Sequence, residues 1–77
     1  MLTRFSSSKL NKIMDERGIS PYEIQSTITI MIHEGKPLSK LTAASIYIYK
    51  RSEQQPRADK LASMALALGV GIEDLME

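Results

Sequence analysis

The sequence predicts an all-α fold of five short helices, and three observations carry that prediction. Apolar residues recur at three- and four-residue spacing in successive stretches, the period of one helical face. Hydroxyl residues suited to open a helix precede several of those stretches, and Gly18, Gly35 and Gly69 stand where helices would stop. The absence of cysteine leaves no disulfide framework and no thiolate metal site, so the fold must hold by packing, alone or with a partner chain.

The first helix is expected over residues 7–17. Ser6, Ser7 and Ser8 offer capping hydroxyls, Leu10, Ile13 and Met14 share a face, and Arg17 and Gly18 supply a C-terminal charge and a stop. "ISPYEI", residues 19–24, is the strongest start signal in the chain. Ser20 suits the N-cap, Pro21 the first helical position and Glu23 the reciprocal arm of a capping box, while Ile19 and Ile24 are spaced for a hydrophobic staple. The second helix is expected from 21 to about 34, with Ile24, Ile28, Met31 and Ile32 on one stripe. "TITIMI", residues 27–32, also alternates like a strand, so the other reading is a short helix followed by an intermolecular strand.

A third helix follows "GKPL", capped by either Ser39 or Thr42. Leu41, Ile46 and Tyr49 can face inward, leaving Ala43, Ala44, Ser45, Tyr47 and Ile48 on the outer faces. Pro56 is expected to open the fourth helix, whose stripe of Leu61, Met64, Ala65 and Leu68 reads as core and ends at Gly69. Gly71 then admits a short last helix in which Ile72, Leu75 and Met76 fold back.

At 77 residues the chain reads as a single domain, 1–77, with room for no second core. Its 43% hydrophobic and 25% charged content fits a soluble globular protein, and no apolar run approaches the roughly 18 residues of a membrane span. "MLTRFSSSKL" lacks the apolar stretch of a secretion signal, so a cytoplasmic location is expected. The net charge of +1 conceals an uneven distribution. Glu73, Asp74 and Glu77 close the chain, leaving ten bases against six acids in residues 1–72. Lys50, Arg51, Arg57 and Lys60 cluster with only Glu53 and Asp59 opposing them, which suits a phosphate-facing edge and equally an ordinary solvated surface.

In order and spacing these segments resemble the Cro and repressor-type helix-turn-helix proteins, also called the xenobiotic-response-element (XRE) family. "LASMALALGVGIEDLM" is similar to their fourth and fifth helices, "TAASIYIYKRSEQQP" to the recognition helix and the loop after it, and "KLNKIMDERGISPYEI" to helix 1 and the start of helix 2. The resemblance implies a small five-helix repressor-like helix-turn-helix domain. It also has two departures. Family members leave far fewer residues between the caps of helices 2 and 3 than the 22 from Ser20 to Thr42, so residues of about 28–38 act as an atypical insertion. Gln25 stands where a small residue usually lets helix 2 pack closely on helix 3. Both bear on the crossing angle and on how helix 3 docks in a major groove.

What the resemblance implies is binding to double-stranded DNA by a transcriptional regulator of a prokaryote or phage, repressor-like and dimeric. Thr42, Ala43, Ala44 and Ile48 would face the bases; Tyr22, Ser45, Tyr47, Lys50, Arg51, Gln54, Gln55 and Arg57 would contact the backbone. Two alanines and an isoleucine touch thymine methyls but donate no hydrogen bonds, so a bias to A·T steps or readout of DNA shape is expected. Tyr47 and Tyr49 also read as packing residues, the commoner use of tyrosine at such spacing. His33, near the end of the second helix, reads as a cap or surface residue. Ile28, Ile30, Met31 and Ile32 exceed what one inner face can bury, which points to an interface, either of a homodimer or with a different protein partner.

That second possibility is the alternative function: a protein-interaction module, antirepressor- or antitoxin-like, on the same scaffold without DNA binding of its own. An enzyme finds no support. "EGKP" lacks the glycines and hydroxyl of a phosphate loop, and one isolated histidine without cysteine assembles no activated nucleophile. No metal, cofactor or small-molecule substrate is expected, and no membrane partner.

Overall fold

Four α-helices and one closing 3₁₀ turn organise the computed structural model, which describes residues 4–52 and 54–77: α1 Ser7–Arg17, α2 Pro21–His33, α3 Ala43–Lys50, α4 Ala58–Leu68 and the turn Ile72–Leu75. Glu53, counted above against the basic cluster, and residues 1–3 of the opening segment lie outside the described residues. The fifth helix expected from the sequence is thus a single 3₁₀ turn. Among the described residues there is no strand, only an isolated antiparallel bridge between Phe5 and Met76.

The competition over residues 27–32 goes to the helix because both ends of α2 are fixed chemically. At its start Ser20 Oγ accepts from the Glu23 amide at 3.2 Å, and Glu23 Oε1 accepts from the Ser20 amide at 3.4 Å, the reciprocal box expected from the sequence. At its end Gly35 takes φ +92°, where its missing Cβ avoids strain, and the Gly35 and Lys36 amides donate back to Ile32 and Met31. Between those stops, Thr29 Oγ1 donates to the Gln25 carbonyl at 2.9 Å, giving a β-branched residue a partner inside the helix. Burial of Ile24 and Ile28 then outweighs local β-propensity. The intermolecular-strand reading is overturned.

The core gathers Leu10 and Met14 from α1, Ile24 and Ile28 from α2, Ile46 and Tyr49 from α3, Leu61, Met64, Ala65 and Leu68 from α4, and Leu75 from the last turn. Phe5 completes it from the N-terminal side, meeting Tyr49 edge-on with ring centroids 6.3 Å apart. Helix α2 packs on both α3 and α4, while α1 packs on α3 and the closing turn. Each fully buried Leu, Ile or Met side chain contributes about 1.5–3 kcal/mol. The fourth helix starts at Ala58 rather than at Pro56, because Arg57 is extended (φ −70°, ψ 162°) and serves as its N-cap. No helix among the described residues is long and apolar enough to cross a membrane.

The segment between α2 and α3 is bound down onto α4. The Ser39 amide donates to buried Ser63 Oγ at 3.0 Å, Ser39 Oγ donates to Asp59 Oδ2 at 2.7 Å, and Lys60 Nζ donates to the Lys40 carbonyl at 2.7 Å. Leu41 then enters the core. Ser39 is therefore spent on α4, and Thr42 caps α3.

Candidate nucleic-acid interface

Thr42 Oγ1 accepts from the Ser45 amide at 3.2 Å, which starts α3 and fixes the outward direction of its first turn. Ile46 and Tyr49 point into the core, so Ala44, Tyr47, Ile48 and Arg51 follow one another along the opposite side. Of these Ala44, Tyr47 and Arg51 are exposed, Ile48 half-buried, and Thr42 lies exposed at the head of the stripe. At the side of α3, Ser45 is half-buried and its hydroxyl accepts from Thr42 Oγ1 at 3.1 Å. Lys50 is half-buried, with its carbonyl engaged by Asn11.

Tyr22, on the first turn of α2, reaches the same side. Its ring lies 6.3 Å from that of Tyr47 at 71°, an edge-to-face pair in which the two side chains are 65% and 38% exposed. Two residues assigned separately from sequence thus form one aromatic ridge beside the α3 stripe. Tyr49 instead takes the packing role, buried against Phe5.

Three assignments need correction. Ala43 is only 4% exposed, because the first residue of α3 turns toward α2, so it cannot face bases in this conformation. Gln55 keeps its assignment, because it is exposed and only its Oε1 is engaged, accepting from the Phe5 amide at 3.1 Å, whereas a phosphate would be met by its Nε2 donor. Ile28 is wholly buried and Ile32 packs half-buried against the core, removing both from an open interface. Ile30 remains, 58% exposed, with Met31 half-buried beside it. The apolar surplus of α2 is smaller than the sequence alone suggested, since its two inward stripes meet α3 and α4 at once.

The basic edge is composed of exposed Arg51 and Arg57 with half-buried Lys50 and Lys60. Arg57 Nε lies 3.7 Å from Asp59 Oδ1, an exposed pair of small energetic weight. The hydrogen bond from Ser39 holds the Asp59 carboxyl below its ordinary value, with the Arg57 charge adding in the same direction. Gln54 is exposed on the loop before α4. His33 is exposed at the end of α2.

Sequence reasoning missed the two amides that hold α3 in place. Gln25 Oε1 accepts from the Ala43 amide at 2.6 Å, and Asn11 Nδ2 donates to the Lys50 carbonyl at 3.0 Å. The only trace of the first was an amide side chain at a position where close packing was expected; nothing in the sequence marked Asn11.

A family model described as Cro/C1-type HTH DNA-binding domain matches residues 9–77, from within α1 to the end of the chain. Comparison with curated proteins and with solved structures gives no match.

Proposed function

The chain belongs to the Cro/C1-type HTH DNA-binding domains, and on that premise we propose that it is a sequence-specific, repressor-like regulator of transcription working in the cytoplasm of a prokaryote or in a phage-infected cell. The observation that supports this reading best is the stripe of Thr42, Ala44, Tyr47, Ile48 and Arg51 along the open side of α3, flanked by Tyr22. An α-helix fits the major groove, where Ala44 and Ile48 meet thymine methyls and the Thr42 hydroxyl can donate or accept. Tyr22, Tyr47, Ser45, Lys50, Arg51, Gln54, Gln55 and Arg57 take the phosphates and sugars, which set position without specifying sequence. So few hydrogen-bonding side chains on the stripe favour an A·T-rich site read partly through DNA shape. The whole chain acts as one domain, with residues 28–38 as its insertion, and two copies meet through Ile30 and Met31.

Selection of bound duplexes from a random pool tests this. An enriched inverted repeat supports a dimeric sequence-specific regulator; a lone half-site removes the dimer; no enrichment by folded protein rejects the reading. Replacing Lys50 and Arg51 together by alanine is expected to weaken binding to the selected duplex at least about tenfold and to lower the slope of log affinity against log salt by about 1–2.

The second reading, a protein-interaction module without DNA binding, is favoured by one observation: Ile30 stands 58% exposed on the side of α2 away from α3 and α4. On that reading the double alanine variant keeps its partner.

A further inference from the structure

The connection between α2 and α3 is nine residues long, from Glu34 to Thr42, and it is tied to α4 rather than folded into a tight turn between the two helices. Backbone geometry at a short turn therefore does not set the pose of α3 against α2. Two side-chain amides stand at the ends of α3 instead. At the N-terminal end, Gln25 Oε1 accepts the Ala43 N–H at 2.6 Å, supplying a partner to one of the amides that a helix start leaves without one. The next amide but one, that of Ser45, goes to Thr42, so two different segments share the first turn. At the C-terminal end, Asn11 Nδ2 donates to the Lys50 carbonyl at 3.0 Å while also donating to the Ser7 carbonyl at 2.9 Å, tying the last turn of α3 to α1.

We infer that Gln25 is a positioning residue for DNA readout: its side-chain carbonyl, acting with Asn11 at the far end, holds the α3 stripe at the angle and depth that discriminates base sequence. The inference rests on the DNA-binding reading above and deepens it. Ala43 is nearly inaccessible to water, so loss of the Gln25 carbonyl leaves a poorly hydrated amide that is satisfied only if α3 shifts. Such a shift changes which base edges Thr42, Ala44 and Ile48 reach. It leaves the phosphate contacts of flexible Lys and Arg side chains largely intact.

The test compares wild type, Gln25→Ala and Gln25→Glu. Affinity is measured at one salt concentration for the duplex that wild type selects and for a scrambled duplex of the same length, and the ratio is the readout. Amide exchange at Ala43 is followed in parallel. Gln25→Ala is expected to lower the ratio about tenfold, with scrambled-duplex affinity changing less than about threefold, and to speed Ala43 exchange about tenfold relative to amides of α1. Gln25→Glu keeps an acceptor in place and is expected to restore the ratio and the protection, although its added negative charge weakens both duplexes together. An unchanged ratio in folded Gln25→Ala overturns the inference, as does a fall that Gln25→Glu fails to restore. A wild-type ratio near one rejects the DNA-binding reading itself; the positional claim is then decided by exchange, with selective loss of Ala43 protection in Gln25→Ala supporting it and unchanged protection ending it.

Discussion

Ser52, directly after the cap of α3, is the one described non-glycine residue with positive φ, at +60°. An L-residue there meets its own Cβ against the backbone, a cost of about 1 kcal/mol that glycine escapes. Ser52→Gly is expected to stabilise the protein by about 0.5–1 kcal/mol, less the loss of the exposed hydroxyl contact with Ser7, as urea unfolding would show. Asp59 acts through pH. Its folded pKa lies below the ordinary value of 3.8, so the carboxylate's contribution is present above that value and disappears as pH falls through the lower folded value. Asp59→Asn is therefore expected to make unfolding less dependent on pH in the acid range, with wild type and variant converging at the most acid end. Thermal melts across that range would show whether they do. At this scale the sequence was readable where a residue acts on its near neighbours, as Ser20 does with Glu23, while it left the cap of α3 open between Ser39 and Thr42. It was silent where an amide reaches across the fold, as Gln25, Asn11 and Gln55 do, because a polar side chain carries no periodicity and its partner lies 18, 39 or 50 residues away.

Among the elements, α2 shows how end chemistry decides an ambiguous interior. Six residues that alternate like a strand become the last turns of a helix because a capping box and a left-handed glycine define thirteen residues between them. Ser20→Ala is expected to cost about 1 kcal/mol, read from the urea midpoint at unchanged m-value, and to fray the first turn where Tyr22 sits. The four α-helices were legible because apolar spacing and stop glycines are local signals, whereas the fifth helix that the same signals suggested is a single 3₁₀ turn. Ala43, however, lies on an outer face by helical phase alone, and only the approach of α2 buries it. The sequence pattern gives the angle around one helix axis, whereas burial depends on how many neighbours flank it. The same reason took Ile28 and Ile32 out of the expected interface, since α2 has helices on two sides.

Across the whole molecule, the ends of the described chain are sewn together. The Ser6 amide donates to the Leu75 carbonyl and the Glu77 amide to the Arg4 carbonyl, both at 2.8 Å, and Phe5 drops between them into the core. Phe5→Ala is expected to destabilise the domain by about 3 kcal/mol, since it removes a buried ring and its edge contact with Tyr49. Differential scanning calorimetry would record the loss, and a change below about 1 kcal/mol would mean that the N-terminal segment is an accessory to the core. Nothing in the sequence announced this pairing, because one residue on each side makes the bridge and no strand pattern accompanies it.

Because Arg4 and Glu77 lie side by side, the order of the helices along the chain is separable from their arrangement in space. A short glycine-rich joint could close the backbone into a ring, and cutting that ring after Lys36, at exposed Pro37, would leave every helix whole and keep the Gly35 stop of α2. The permuted chain would be synthesised with α3 first and α2 last, yet fold around the same interior. The present succession of helices is then one of several that this architecture can accept.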